Sequence, residues 1–173
     1  MQMKIKKTIE EIEVAQRDRG TLAASGEQIA REREALLKDA GAEPSEKVLR
    51  LIEGLQTRAS IIPYRVKALD DKITGLLAVL RREYEAATSE ASRTAREICD
   101  DTRGNLIAAL LPSFKGRAEA EGAARKISDG SVGFARANAI TAAVQFGTSV
   151  DGFDVNPIRA AKRLVEALER SKS

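Results

Sequence analysis

Apolar residues recur from Val48 to Leu80 at Val48, Ile52, Leu55, Ala59, Ile62, Val66, Leu69, Ile73, Leu76 and Leu80, with spacings that alternate four and three without a break. A repeat of this kind keeps one narrow stripe of an α-helix apolar and is the seam of a left-handed coiled coil. Beyond Leu80 the apolar positions are Tyr84, Ala87, Ala91, Ala95, Ile98, Thr102, Leu106 and Ala109, with two spacings of four for each spacing of three. This eleven-residue repeat favours straight or slightly right-handed packing. The helix is therefore expected to change partner near residue 80.

Capping and breaking residues set the ends of this helix and divide the rest of the chain. Asp39-Ala40-Gly41 predicts a helix stop, and Glu43-Pro44-Ser45-Glu46 a new start with acidic residues in its first turn. The spacing thus predicts a first helix over about 3–40 and a second over about 45–111. Folded back through 41–44, residue n of the first lies near residue 85 − n of the second, so Ile5 meets the region of Leu80. At roughly 1.5 Å per residue the second helix is about 100 Å long and the first about 55 Å, which leaves an overhang to be covered. Pro63 interrupts the seam and predicts a kink in a continuous helix. Small residues across from it, Gly20-Thr21-Leu22-Ala23-Ala24-Ser25-Gly26, allow close approach there. The alternative is a break, with Arg19-Gly20 the weakest point of a first helix whose seam also carries Gln16 and Arg19.

The cover for the overhang is expected from the C-terminal region. Pro112-Ser113 starts a short helix to about 128, Asp129-Gly130 turns, and a further helix runs over about 131–146 with Gly147 as its stop. Asn156-Pro157 then supplies an N-cap and first-turn pair for a last helix ending near Ser171. The expected fold is all-α: a long antiparallel coiled-coil helical hairpin over 1–83 and a small C-terminal helical bundle over 84–173, sharing the long second helix. A parallel dimer or trimer of helix 45–111 satisfies the same heptads, because a seam does not specify who fills it.

Composition agrees with helices. Aromatic residues are 3% of the 173 and charged residues 32%, a mix typical of long helices rather than sheets. Net charge is +3, and the basic excess lies at the C-terminal end. Lys and Arg number 10 against 7 Asp and Glu over 112–173, but 8 against 9 over 1–44 and 11 against 10 over 45–111. No apolar run reaches the roughly 18 residues of a membrane span, and no apolar stretch follows the first lysines to make a signal peptide. A cytoplasmic protein, or one within a particle assembled there, with no membrane partner, is expected. The uncharged stretch from Ala137 to Val150 is too short and too polar to span a bilayer, and burial within the chain is its plainer reading beside burial against another protein.

Chemistry is narrowed by what is missing. There is no histidine, so Ser-His-Asp and Cys-His arrangements are excluded, as are histidine-containing zinc sites and Glu-x-x-His di-iron pairs. The one cysteine, Cys99, follows the seam position Ile98 and reads as a small apolar filler. Asp70-Asp71 and Asp100-Asp101 point about 100° apart on a helix and do not share a site. Asp151-Gly152-Phe153-Asp154-Val155-Asn156 has the look of an oxygen-rich calcium loop, but its twelfth position is Lys162 where an acid is needed, and helix capping accounts for it better. Gly130-Ser131-Val132-Gly133 follows no strand and carries no Lys-Ser/Thr ending. No catalytic residue, cofactor or metal is expected.

Two functional expectations remain. The first is a non-enzymatic structural or adaptor protein that binds itself or another protein subunit through coiled-coil surfaces, as a virion or other particle component does. The alternative is nucleic-acid binding by the last helix, where Arg159, Lys162, Arg163 and Arg170 follow one side and Ile158, Ala161, Val165 and Leu168 another. An ordinary amphipathic surface helix, with Glu166 and Glu169 offsetting the charge, is the simpler account of that pattern.

Overall fold

In a computed structural model the chain is all-α. It describes residues 2–41, 44–128, 130–149 and 152–171, and among these there is no strand. The elements are α1 Gln2–Ala40, α2 Glu46–Leu110, a 3-10 turn Leu111–Ser113, α3 Arg117–Ser128, α4 Val132–Thr148 and α5 Pro157–Arg170. Glu43, Asp129, Val150 and Asp151, which sequence reasoning placed at a helix start, in a turn, in the uncharged stretch and in a loop, lie outside the described residues.

Local chemistry accounts for the ends of the elements. α1 stops where Gly41 adopts a φ of 61°, a left-handed conformation that glycine takes without a Cβ clash. α2 begins beyond Pro44, its first turn closed by the amides of Val48 and Leu49 donating to Ser45 O at 2.9 and 3.1 Å. It then runs through Pro63 to Leu110 as one helix, without the break that was the alternative. The expected helix start at Pro112 is corrected. Pro112 lies in the 3-10 turn, Phe114 is extended at φ −123° and ψ 154°, and α3 starts three residues later. There the Lys115 amide donates to the Glu119 carboxylate at 3.3 Å, the helix-start arrangement in which an acidic side chain satisfies a free N–H. Ser131 caps α4 by accepting from the Phe134 amide at 3.4 Å. Asn156 caps α5 by accepting from the Arg159 amide at 3.2 Å, with Pro157 at the first helical position.

The chain divides into two compact units, Thr8–Ala78 and a second made of Met1–Lys7 with Val79–Ser173. In the first, the α1 and α2 segments run in opposite directions: Arg19 pairs with Asp70, and a Cβ on Gly26 would lie 3.3 Å from Ile62 Cγ2. A fold-back about the loop would have set Arg19 against Val66 and Gly26 against Ala59, so the true register is three or four residues further along. The reason is side-chain direction. Helical side chains lean toward their own N-terminus, so where antiparallel helices meet, both contacting residues lie C-terminal to the level at which they touch. Gly26 is the close-approach position opposite the proline region, and Gly20 has nothing within 4 Å of its would-be Cβ. Ile52 is 8% exposed, whereas Val48, Leu55, Ala59, Ile62, Val66, Leu69, Ile73 and Leu76 are half-buried and most residues between them exposed. Thr21, Leu22, Ser25, Arg65, Ala68 and Leu69 with Asp18 line an open hollow of about 590 Å³. A polar group also enters the face of α1, where Arg33 has its Nε buried with no partner among the described residues.

The second unit is packed more tightly, and with small side chains. Ala87, Ala91 and Ala95 of α2, Ala120 and Ala124 of α3, Ala137 and Ala143 of α4, and Ala160, Ala161 and Ala167 of α5 are all buried. Short side chains let helix axes come close. Ile5, Leu80, Ile140 and Leu164 are the large residues with no exposure. The eleven-residue repeat supplies the α2 face: Tyr84, Ala87, Ala91 and Ala95 are buried, and Ile98, Thr102 and Leu106 half-buried. Two glycines set α4 in place. A Cβ on Gly133 would run into Thr102 Oγ1, and one on Gly147 into Tyr84 Oη. Gly147 is thus a contact residue inside the helix rather than its stop. α5 buries Leu164, Val165 and Leu168 together with its alanines, and Lys6 reaches Glu169 at 2.6 Å.

Candidate functional site

The basic helix α5 carries four sequence-predicted candidates, and the structure separates them. Arg159 and Arg163 stand one turn apart at its exposed edge, and both lie over the ring of Phe146, with guanidinium carbons 5.6 and 4.1 Å from the ring centroid. A ring presents its negative face to a cation, and distances under about 6 Å give a favourable contact. Arg170 is drawn toward Glu166 at 3.9 Å along the helix, and Lys162 is exposed and engaged elsewhere. The set therefore resolves into a pair of arginines on an aromatic platform and two outliers.

Phe146 belongs to the last turn of α4, and its position follows from the loop that joins α4 to α5. The Phe146 carbonyl accepts from the Ser149 amide at 3.3 Å and from the Ser149 hydroxyl at 2.8 Å. The Phe153 amide donates to Gly147 O at 3.1 Å, and the Asn156 amide donates to Gly152 O at 2.9 Å. Gly152 has no room for a side chain, since a Cβ there would lie 2.6 Å from the carbonyl oxygens of Phe146 and Gly147. Phe153 packs on Tyr84 with ring centroids 4.7 Å apart and planes tilted by 30°, while Asp154 meets Arg81 at 3.0 Å. Among the described residues of the loop, these polar groups go into turns, an ion pair and the cap of α5. Asp154 and Asn156, two members of the calcium-like pattern, are held by Arg81 and the Arg159 amide.

The Tyr84 hydroxyl is buried, with no hydrogen-bond partner among the described residues. Its burial raises the phenol pKa above the ordinary 10.0, because the charged phenolate is desolvated there. It faces the Gly147 backbone, and its burial bears on stability. Cys99 is half-buried and lines an open hollow of about 430 Å³ with Arg96, Asp100, Thr141, Val144 and Gln145. Of the adjacent carboxylates, Asp70 is held by Arg19. Among the described residues no three acidic or cysteine side chains come together as metal ligands, and no helix is long and apolar enough to cross a membrane.

The sequence pattern missed Phe146 as the platform for the arginines, and the pair Tyr84 and Phe153 that closes the α4–α5 loop onto α2. The signal was scarcity: with only four Phe and two Tyr in the chain, two phenylalanines seven residues apart around a glycine-containing turn mark a place where helix ends are pinned. A scan against protein-family models matched none, and searches of curated proteins and of solved structures found no match.

Proposed function

We propose that the chain is a non-enzymatic structural or adaptor protein, built as a long antiparallel coiled-coil hairpin with a small C-terminal helical bundle. It self-associates or docks into a larger macromolecular assembly, such as a virion or other particle, through the sides of the hairpin. The supporting observation is the state of the α2 stripe in the unit Thr8–Ala78: apart from Ile52 its apolar positions are only half-buried, although Ile9, Ile12 and Ala15 of α1 are buried. Two helices alone leave such a stripe open on both flanks, and a further helix from another subunit completes it. Leu49, Leu51, Ile61 and Tyr64 add exposed apolar surface to the same stretch of α2, with Tyr64 78% exposed.

Light scattering coupled to size exclusion, at low and high salt, tests this reading. An oligomer that persists at high salt is expected, since apolar contacts are not screened as ion pairs are. Ile61→Glu with Tyr64→Glu should shift it toward monomer while helicity is kept. A native chain that stays monomeric at every concentration would exclude self-association, and failure to bind any other subunit would then remove the adaptor reading.

A further inference from the structure

We propose that Arg159 and Arg163, held over Phe146, form a binding site for the phosphates of single-stranded nucleic acid, a role that does not depend on how the hairpin associates. Like charges one helical turn apart repel, yet among the described residues neither side chain has a carboxylate partner or a side-chain hydrogen bond. Arg31, Arg50, Arg81, Arg93 and Arg117 each pair with a glutamate four residues away. Other arginines stand without one, but among the described residues only Arg159 and Arg163 bring two unpaired guanidinium groups over one ring. The ring of Phe146 gathers the two guanidinium groups without neutralising them. A guanidinium lying over a ring keeps the N–H donors at its rim, which suit bidentate contact with phosphate oxygens.

The dimensions and surroundings favour one polynucleotide strand. Residues four apart on α5 are about 6 Å apart along its axis, a step suited to neighbouring phosphates of one backbone. Beside Arg163 an open hollow of about 230 Å³ is lined by Ala139, Ala142, Ala143 and Ala167 and flanked by Arg170. Glu166 also borders it, opposed by Arg170 at 3.9 Å. This low, uncharged floor leaves room for a base or sugar next to the phosphate donors, and a cationic track of this kind follows a single-strand backbone without sequence preference. A membrane surface is the poorer match. The apolar face of α5 is used internally, with Leu164, Val165 and Leu168 buried, so nothing is left there to enter a bilayer.

The test is fluorescence polarisation of the full chain with labelled oligo-dT and oligo-U of twenty nucleotides, across a salt series. Vesicles containing phosphatidylserine serve as a second arm. Binding that weakens steeply with salt is expected. Arg159→Gln and Arg163→Gln should each weaken it about tenfold at low salt and reduce the log–log salt slope by about 0.7, the share of one phosphate on a single strand. Both arginines are exposed, so these variants should keep native helicity. Arg163→Lys, which keeps the charge and loses the planar fork, should weaken binding several-fold. No binding at about 50 mM salt, a double Gln variant equal to the native chain, a lysine variant equal to it, or binding to vesicles but not to oligonucleotides would each overturn the proposal.

Discussion

Tyr84 shows how one side chain can hold two elements together and still carry an unfavourable group. Its ring packs on Phe153, but its hydroxyl is buried with no partner among the described residues, and an unmet buried donor typically costs about 1–3 kcal/mol. Tyr84→Phe should therefore raise stability by about 1 kcal/mol, read as a higher melting temperature. The same residue sets an alkaline limit. Because burial lifts its pKa above 10.0, the unfolded chain loses this proton first, and the contribution is whole below pH about 10 and declines as pH rises toward the folded value. Denaturant titrations above pH 10 should show that decline in the native chain and a shallower one in Tyr84→Phe. The glycines offer a matched pair. Gly147→Ala places a methyl group against Tyr84 and should cost about 3 kcal/mol, at the upper end for overpacking. Gly20→Ala, with nothing within 4 Å, should gain roughly 0.5–1 kcal/mol from lower backbone entropy in the unfolded chain.

At the scale of elements, the heptad stripe and the eleven-residue stripe are two different surfaces of α2. The first is half-buried and the second is lined with buried alanines. Leu69→Asp with Ile73→Asp puts two charges on the first, and should lower helicity and melting in circular dichroism, at roughly 2 kcal/mol or more per site if the stripe is packed in solution; unchanged melting would show that it is not. The helices themselves were legible because period, caps and breakers act within a few residues, and Gly41, Ser131 and Asn156 each do so. The α1–α2 register was off by three or four residues because it depends on the lean of side chains, which spacing does not record. The arginine platform was harder still. Phe146 lies thirteen residues before Arg159 in the sequence, and only the α4–α5 turn brings them together. The role of Gly147 was misread for a related reason: a glycine at a helix end and a glycine beneath a tyrosine look alike until the facing helix is known.

For the molecule as a whole, the difference in packing between the two units predicts a difference in local stability. Amide exchange should be slowest in α4, α5 and the part of α2 from Val79 to Ile98, where buried residues are dense, and faster over residues 16–40 of α1 and 46–78 of α2, where most apolar positions are half-buried or exposed. Uniform exchange along α2 would contradict this. If the proposals hold, a partner bound along the Thr8–Ala78 unit slows exchange there first, whereas an oligonucleotide slows it around the α4–α5 turn.

The seating of α4 has one more consequence. Gly133 and Gly147 lie fourteen residues apart on one side of it, fitted over Thr102 and Tyr84, so the span between them works as a gauge of fixed length. Residues on its outer side that line neither contact nor hollow, such as Ala135 and Asn138, are free to drift in identity. A single insertion or deletion would rotate one notch by about 100° off its counterpart. Among relatives of this chain, the distance between those two positions should therefore change less than the residues that fill it.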